Sequence, residues 1–166
     1  WPSPRFRQYG RVTNYATVSS RILSLRWDKR NEIKELEGVV ERTVKTPHAI
    51  CCSKARVAIF LAVRALVKPG QEVVLSPYTI SDVVNMVLCA GATPVFADID
   101  DETCNIDPEQ IERLIGPKTG AVLVTHLHGL ACNMDQITAI CARKKVPLIE
   151  DAAQAFGTRE GSRHVG

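Results

Sequence analysis

The chain has 166 residues, 45% of them hydrophobic and 23% charged, with a formal net charge of +3. That apolar content supports a packed core and excludes wholesale disorder. The charge excess is too small to argue for nucleic acid along the whole chain, and no apolar run approaches the roughly 18 residues that span a bilayer.

Residues 1–30 read as a basic N-terminal arm. Arg5, Arg7, Arg11, Arg21, Arg26, Lys29 and Arg30 face one acid, Asp28, with Tyr9, Tyr15 and Trp27 interspersed. Trp1 to Arg11 lacks the apolar core of a secretory signal. We expect the arm to pack on a partner subunit or to fray, rather than to bind nucleic acid. From about Lys29 to Lys45, Ile33, Leu36, Val40 and Val44 recur at helical spacing, and Pro47 ends the helix.

The remainder alternates. His48–Cys52 reads as a strand and Ala55–Val67 as a helix, closed by Lys68-Pro69-Gly70. Glu72–Ser76 is a buried strand, followed by a helix over about Ser81–Ala90 and a strand at Pro94–Asp98. Asp107-Pro108 puts an N-cap and an N1 proline at the start of a helix that runs to about Ile115. Ala121–Thr125 is a fourth strand, Met134–Lys145 a helix and Pro147–Asp151 a fifth strand. Continuous Val/Ile/Leu strands separated by amphipathic helices predict an α/β fold: a three-layer α/β/α sandwich on a mostly parallel sheet.

The cysteines, Cys51, Cys52, Cys89, Cys104, Cys132 and Cys141, lie mostly in apolar runs and lack the spacing of a disulfide-stapled domain. Free thiols and a cytoplasmic location are expected. Asp98, Asp100, Asp101 and Glu102 read as a solvated acidic loop rather than a cation site.

In an open α/β sheet, ligands bind beyond the carboxyl ends of the strands. Three turns matter there: those after His48–Cys52, Glu72–Ser76 and Pro147–Asp151. The first, Cys52-Ser53-Lys54-Ala55-Arg56, opens a helix whose free N–H groups and dipole favour an anion. Neither a dinucleotide fingerprint nor a P-loop is present. The third begins at Asp151, a carboxylate ending a strand, and the small Ala152-Ala153 leaves room for a planar ligand beside it. An anion site and a strand-end carboxylate together suit pyridoxal 5'-phosphate. Its phosphate needs N–H donors, and a carboxylate keeps its pyridine nitrogen protonated.

The run Glu150-Asp151-Ala152-Ala153-Gln154-Ala155-Phe156-Gly157 resembles the E-D-A-A-Q-A-x-G signature of the DegT/StrS-type sugar aminotransferases. Ala90–Asp100 (AGATPVFADID), Asn105–Pro108 (NIDP), Val124–Gly129 (VTHLHG) and Gly161–Gly166 (GSRHVG) resemble further motifs of that family, in order. The resemblance covers about residues 33–166.

The resemblance implies a fold-type I pyridoxal-phosphate enzyme, with residues 31–166 forming part of its large domain. It implies transfer of an amino group from an amino acid, often glutamate, to a keto group of a nucleotide-linked sugar, and a homodimer with active sites at the interface. Asp151 would hold the pyridine nitrogen and Gln154 the ring hydroxyl oxygen. The family's phosphate-binding Gly-Thr falls on Ala55 and Arg56, and its ring-stacking aromatic falls on Ile80. Both positions depart from the family pattern; Arg56 retains a fork of donors, and Tyr78 is an alternative to Ile80. The Schiff-base lysine is expected beyond Gly166, so residues 1–166 alone would not transaminate. A sugar dehydratase of the same family and a non-catalytic ligand-binding or regulatory relative are the alternative expectations. His126 and His128, two apart on a strand, would share a face near Cys132. The resemblance implies that His126 is structural, and we expect no metal site.

Overall fold

The structure, a computed structural model, describes residues 11–24 and 30–166. The chain divides into two compact units, Trp1–Leu36 and Glu37–Gly166. In the first, α1 (Val12–Leu23) lies in the stretch read from the sequence as an arm, and Arg21 of α1 is ion-paired with Glu32. The remaining parts of that arm, residues 1–10 and 25–29, lie outside the described residues. Helix α2 spans Arg30–Val44.

The second unit alternates helix and strand: α3 (Ala55–Leu66), β1 (Glu72–Leu75), α4 (Ser81–Cys89), β2 (Thr93–Phe96), α5 (Pro108–Leu114), β3 (Thr119–Thr125), α6 (Met134–Lys144) and β4 (Leu148–Asp151). A short hairpin, β5 (Arg159–Glu160) and β6 (Arg163–His164), follows. The sheet has the order β2-β1-β3-β4, and every pairing in it is parallel.

Side-chain alternation divides the core between the two faces. Val73, Leu75, Ala121, Leu123 and Ile149 pack against α3 and α4 through Ile59, Val63, Val83 and Val87. Val74, Val122 and Val124 pack on the other face against α5 and α6 through Ile111, Met134, Ile137 and Ile140. Strand β3 is buried along its whole length, as a central strand covered on both faces must be. The three-layer α/β/α sandwich read from the sequence is therefore observed. The expected cap is present too: Asp107 Oδ1 accepts the Glu109 N–H at 2.8 Å, with Pro108 opening α5.

One expected strand does not form. His48–Cys52 is irregular and largely exposed. Its amides are taken by side chains of α2: the Ala49 N–H donates to Glu41 Oε1 at 3.1 Å and the Cys51 N–H to Glu37 Oε1 at 2.7 Å. These two carboxylates, one helical turn apart, replace a strand partner.

The cysteines differ in surroundings. Cys51, Cys52 and Cys89 are exposed, whereas Cys132 and Cys141 are buried. The Cys132 thiol donates to the Thr125 carbonyl at 3.4 Å, and burial, helped by the charges of Glu150 and Glu160, pushes its pKa up to about 12.

The β1–β3 ladder contains a bulge. Glu72 pairs with Thr119 but Val73 pairs with Ala121, so Gly120 is an extra residue on β3. A Cβ at Gly120 would stand 2.7 Å from Val67 Cγ1 and 3.1 Å from Gln71 Oε1. Gly120→Ala is expected to destabilise the fold by about 1–3 kcal/mol through overpacking. Denaturant melts of the complete protein check this; an unchanged midpoint would show that the α3–β1 connection yields freely.

Candidate functional site

Parallel pairing sends the carboxyl ends of β1, β3 and β4 to one rim of the sheet, with Thr125 and Asp151 in register. Of the connections that leave that rim, three bear on the site: the turn after β1 that enters α4, the loop after β3, and the turns after β4. A cavity of about 180 Å³ there is lined by Lys54, Ala55, Arg56, Ile80, Asp82 and Asp151, among others. A neighbouring cavity of about 190 Å³ is lined by Tyr78, Thr79, Ile80, Leu127, His128 and Gln154. Ala55, Arg56, Ile80 and Asp151, distant in sequence, thus meet in one cavity. Gln154 lies in the second, and Ile80 borders both.

Asp151 ends β4 and caps no helix, since the chain continues through turns to Gly157. Its Oδ1 accepts the Ala153 N–H at 3.1 Å, and its main-chain carbonyl accepts the His126 N–H at 3.0 Å. Among the described residues nothing bonds to its other carboxylate oxygen. Ala152 and Ala153 stand beside it and also line an apolar groove of about 360 Å³ along α3.

Gln154 is oriented by its neighbour. The His128 N–H donates to Gln154 Oε1 at 3.2 Å. A backbone N–H meets only an acceptor, so the oxygen faces His128 and the amino group is turned away from it. His128 reaches this position with a φ of 56°, followed by Gly129 at 82°. These two left-handed residues break the extended path, so His126 and His128 do not share a strand face, contrary to the spacing argument. The His128 ring instead meets that of Tyr78, with centroids 6.2 Å apart.

Arg56 stands in the first turn of α3, where the leading N–H groups have no intrahelical acceptor. Its Nη1 lies 3.0 Å from Asp82 Oδ2, in the first turn of α4. The sequence reading missed Asp82. A signal existed: the stretch ARVAIFLAVRAL contains no acid, so Arg56 finds no partner within its own helix. Tyr78 and Ile80, weighed against each other from sequence, line the same cavity.

On the opposite face, Glu150 collects three donors. Arg163 Nη2 reaches its Oε1 at 2.6 Å, while the Gly166 N–H and His126 Nε2 reach its Oε2 at 3.0 and 3.3 Å. His126 is fully buried, and its Nδ1 accepts the Cys132 N–H at 3.0 Å. In a neutral ring the proton therefore sits on Nε2 and points at Glu150. His126 is structural in this arrangement, and no group of three or more metal-ligating side chains occurs among the described residues.

The profile of the DegT/DnrJ/EryC1/StrS aminotransferase family matches residues 11–166, and the chain belongs to that family. It is 39% identical over 139 residues to the spore coat polysaccharide biosynthesis protein SpsC of Bacillus subtilis, covering 83% of this chain and 36% of that protein. The chain thus spans about a third of that relative's length. Among solved structures it resembles the aminotransferase from Psychrobacter cryohalolentis, with a TM-score of 0.88 and 33% identity over 100% of this chain and 42% of that one. It also resembles NtdA of Bacillus subtilis, solved with the bound cofactor PMP (TM-score 0.84, 30% identity, 91% and 35% coverage). A further likeness is to DesI, solved in the presence of its TDP-sugar product (TM-score 0.80, 30% identity, 92% and 39% coverage).

The residues present fit a pyridoxal-type cofactor. A carboxylate with an unbonded oxygen, a turn of unsatisfied amides, two cations and small side chains share one rim.

Glu150 supplies a pH prediction. Burial alone would raise its pKa, but the hydrogen bonds from His126 and Gly166 and the charge of Arg163 outweigh it and hold the carboxyl below its ordinary value. A depressed folded-state pKa contributes stability above the ordinary carboxylate range, and this is lost as pH falls through the depressed value. Glu150→Gln is expected to cost about 1–3 kcal/mol at neutral pH, with the difference from wild type shrinking in acid. Urea midpoints measured against pH check this; a pH-independent difference would refute the charge-based account.

Proposed function

We propose that the protein containing this chain is a pyridoxal-phosphate-dependent aminotransferase that moves an amino group from an amino acid, glutamate by preference, onto a keto group of a nucleotide-linked sugar. The observation that carries this reading is that Asp151 and the Ala55-Arg56 turn line one cavity at the carboxyl rim. Such a cavity suits a ligand with a cationic ring nitrogen at one end and an anion at the other.

In this reading Asp151 holds the proton on the pyridine nitrogen. The Gln154 amino group donates to the ring hydroxyl oxygen, its orientation set by His128. The Ala55 and Arg56 amides and the Arg56 guanidinium hold the phosphate, and Ile80 covers a ring face by apolar contact. When bound, pyridoxal phosphate supplies an electron-accepting ring that the amino-acid side chains lack. The nucleotide-linked sugar follows the DesI likeness, and a role in sugar biosynthesis follows the SpsC likeness.

A homodimer is supported by α1, where Tyr15, Val18 and Ile22 recur at helical spacing and are exposed. A cytoplasmic location is supported by six cysteines that form no disulfide. Among the described residues no helix is long and apolar enough to cross a membrane.

The test is amino transfer by the complete protein, with glutamate as donor and keto-sugar nucleotides as acceptors. Asp151→Asn is expected to lower turnover by about 10²–10³-fold while the melting temperature stays within a few degrees. Normal turnover in that variant would refute the role of Asp151. Loss of a sugar hydroxyl without amine incorporation would mark the protein as a dehydratase instead.

A further inference from the structure

Arg56 and Asp82 come from different helices, 26 positions apart, yet line one cavity with their charged groups 3.0 Å apart. Both remain substantially exposed, and exposed pairs of this kind add little to stability. Stability alone therefore gives no strong reason for the pairing, and its place in the cavity is the informative feature.

The charges around the cavity can be counted. Lys54 and Arg56 bring two positive charges, while Asp82 and Asp151 bring two negative ones. If Asp151 serves the ring nitrogen, the anion end is left with two cations and one carboxylate. Asp82 uses a single guanidinium nitrogen of Arg56, in an end-on contact that leaves other donors of the fork unbonded among the described residues. A phosphate seated at the α3 turn would meet those remaining donors and also the negative charge of Asp82.

Resting on the cofactor reading above, we propose that Asp82 is an affinity-setting residue: its carboxylate competes with the cofactor's phosphate for the Arg56 guanidinium. Asp82 holds Arg56 at the cavity wall before the anion arrives and yields it in part on binding. Phosphate affinity at this site is then a balance between Arg56 and Asp82, rather than a property of the helix start alone. The pair also keeps the guanidinium from standing alone beside the apolar side chains of Ile59, Ile80 and Val83, which share the cavity.

The experiment is equilibrium binding of pyridoxal phosphate and of pyridoxal to the complete apoprotein, for wild type, Arg56→Ala and Asp82→Asn. Comparing the two ligands isolates the phosphate, because a merely structural defect weakens both alike. Arg56→Ala is expected to weaken pyridoxal phosphate about ten- to hundredfold and to leave pyridoxal unchanged. Asp82→Asn is expected to tighten pyridoxal phosphate about three- to tenfold, again without effect on pyridoxal. An unchanged or weakened affinity in Asp82→Asn, with normal binding by wild type, overturns the competition and leaves the cofactor reading standing. Failure of the wild-type protein to bind pyridoxal phosphate overturns both. The inhibition constant of inorganic phosphate against pyridoxal phosphate, corrected for the tighter ligand, is expected to fall about three- to tenfold in Asp82→Asn; an unchanged constant counts against the proposal.

Discussion

Every strand of the main sheet runs the same way, and the candidate site depends on that alignment. Parallel strands deliver their carboxyl ends to a single rim, so segments from residues 54 to 154 converge although little in the sequence links them. The 125–151 register is what sets Asp151 level with the end of β3. Antiparallel pairing of β3 with β4 would send that carboxylate to the far rim. The apolar faces enforce the arrangement: a one-residue slip of β4 would turn Ile149 out of its core and bring Glu150 into it.

The adjacent acids Glu150 and Asp151 show how two carboxylates acquire different tasks. Neighbours on a strand point to opposite faces. Glu150 is enclosed by His126, Arg163 and the Gly166 amide, a closed set of charge-assisted hydrogen bonds that ties the hairpin and the β3 loop together. Asp151 receives one backbone N–H and opens on a cavity. One acid is spent on holding the fold, and the other is left with capacity for a ligand.

Much of this was legible in the sequence. Unbroken apolar runs marked β1 and β3, the short Pro147-Leu148-Ile149 run marked β4, and Asp107-Pro108 marked the start of α5, because strand burial and capping both leave local traces. The strand-end position of Asp151 followed from the same pattern. What escaped was non-local. His48–Cys52 had the composition of a strand, but its amides were already claimed by Glu37 and Glu41, a competition visible only once α2 lies beside it. The Arg56–Asp82 pair joins two helices across the rim, and the left-handed His128 that orients Gln154 has no marker beyond the following glycine.

The contrast among the thiols has a practical side. A sulfur whose proton is held so firmly, and which is walled off from solvent, scarcely ionises near neutrality, so electrophiles find little thiolate to attack at Cys132. Cys51, Cys52 and Cys89 enjoy no such shelter. Alkylating labels applied to the native molecule should therefore decorate its surface first, and the inner sulfurs become reactive when the sandwich opens, giving an internal clock for unfolding that needs no engineered probe.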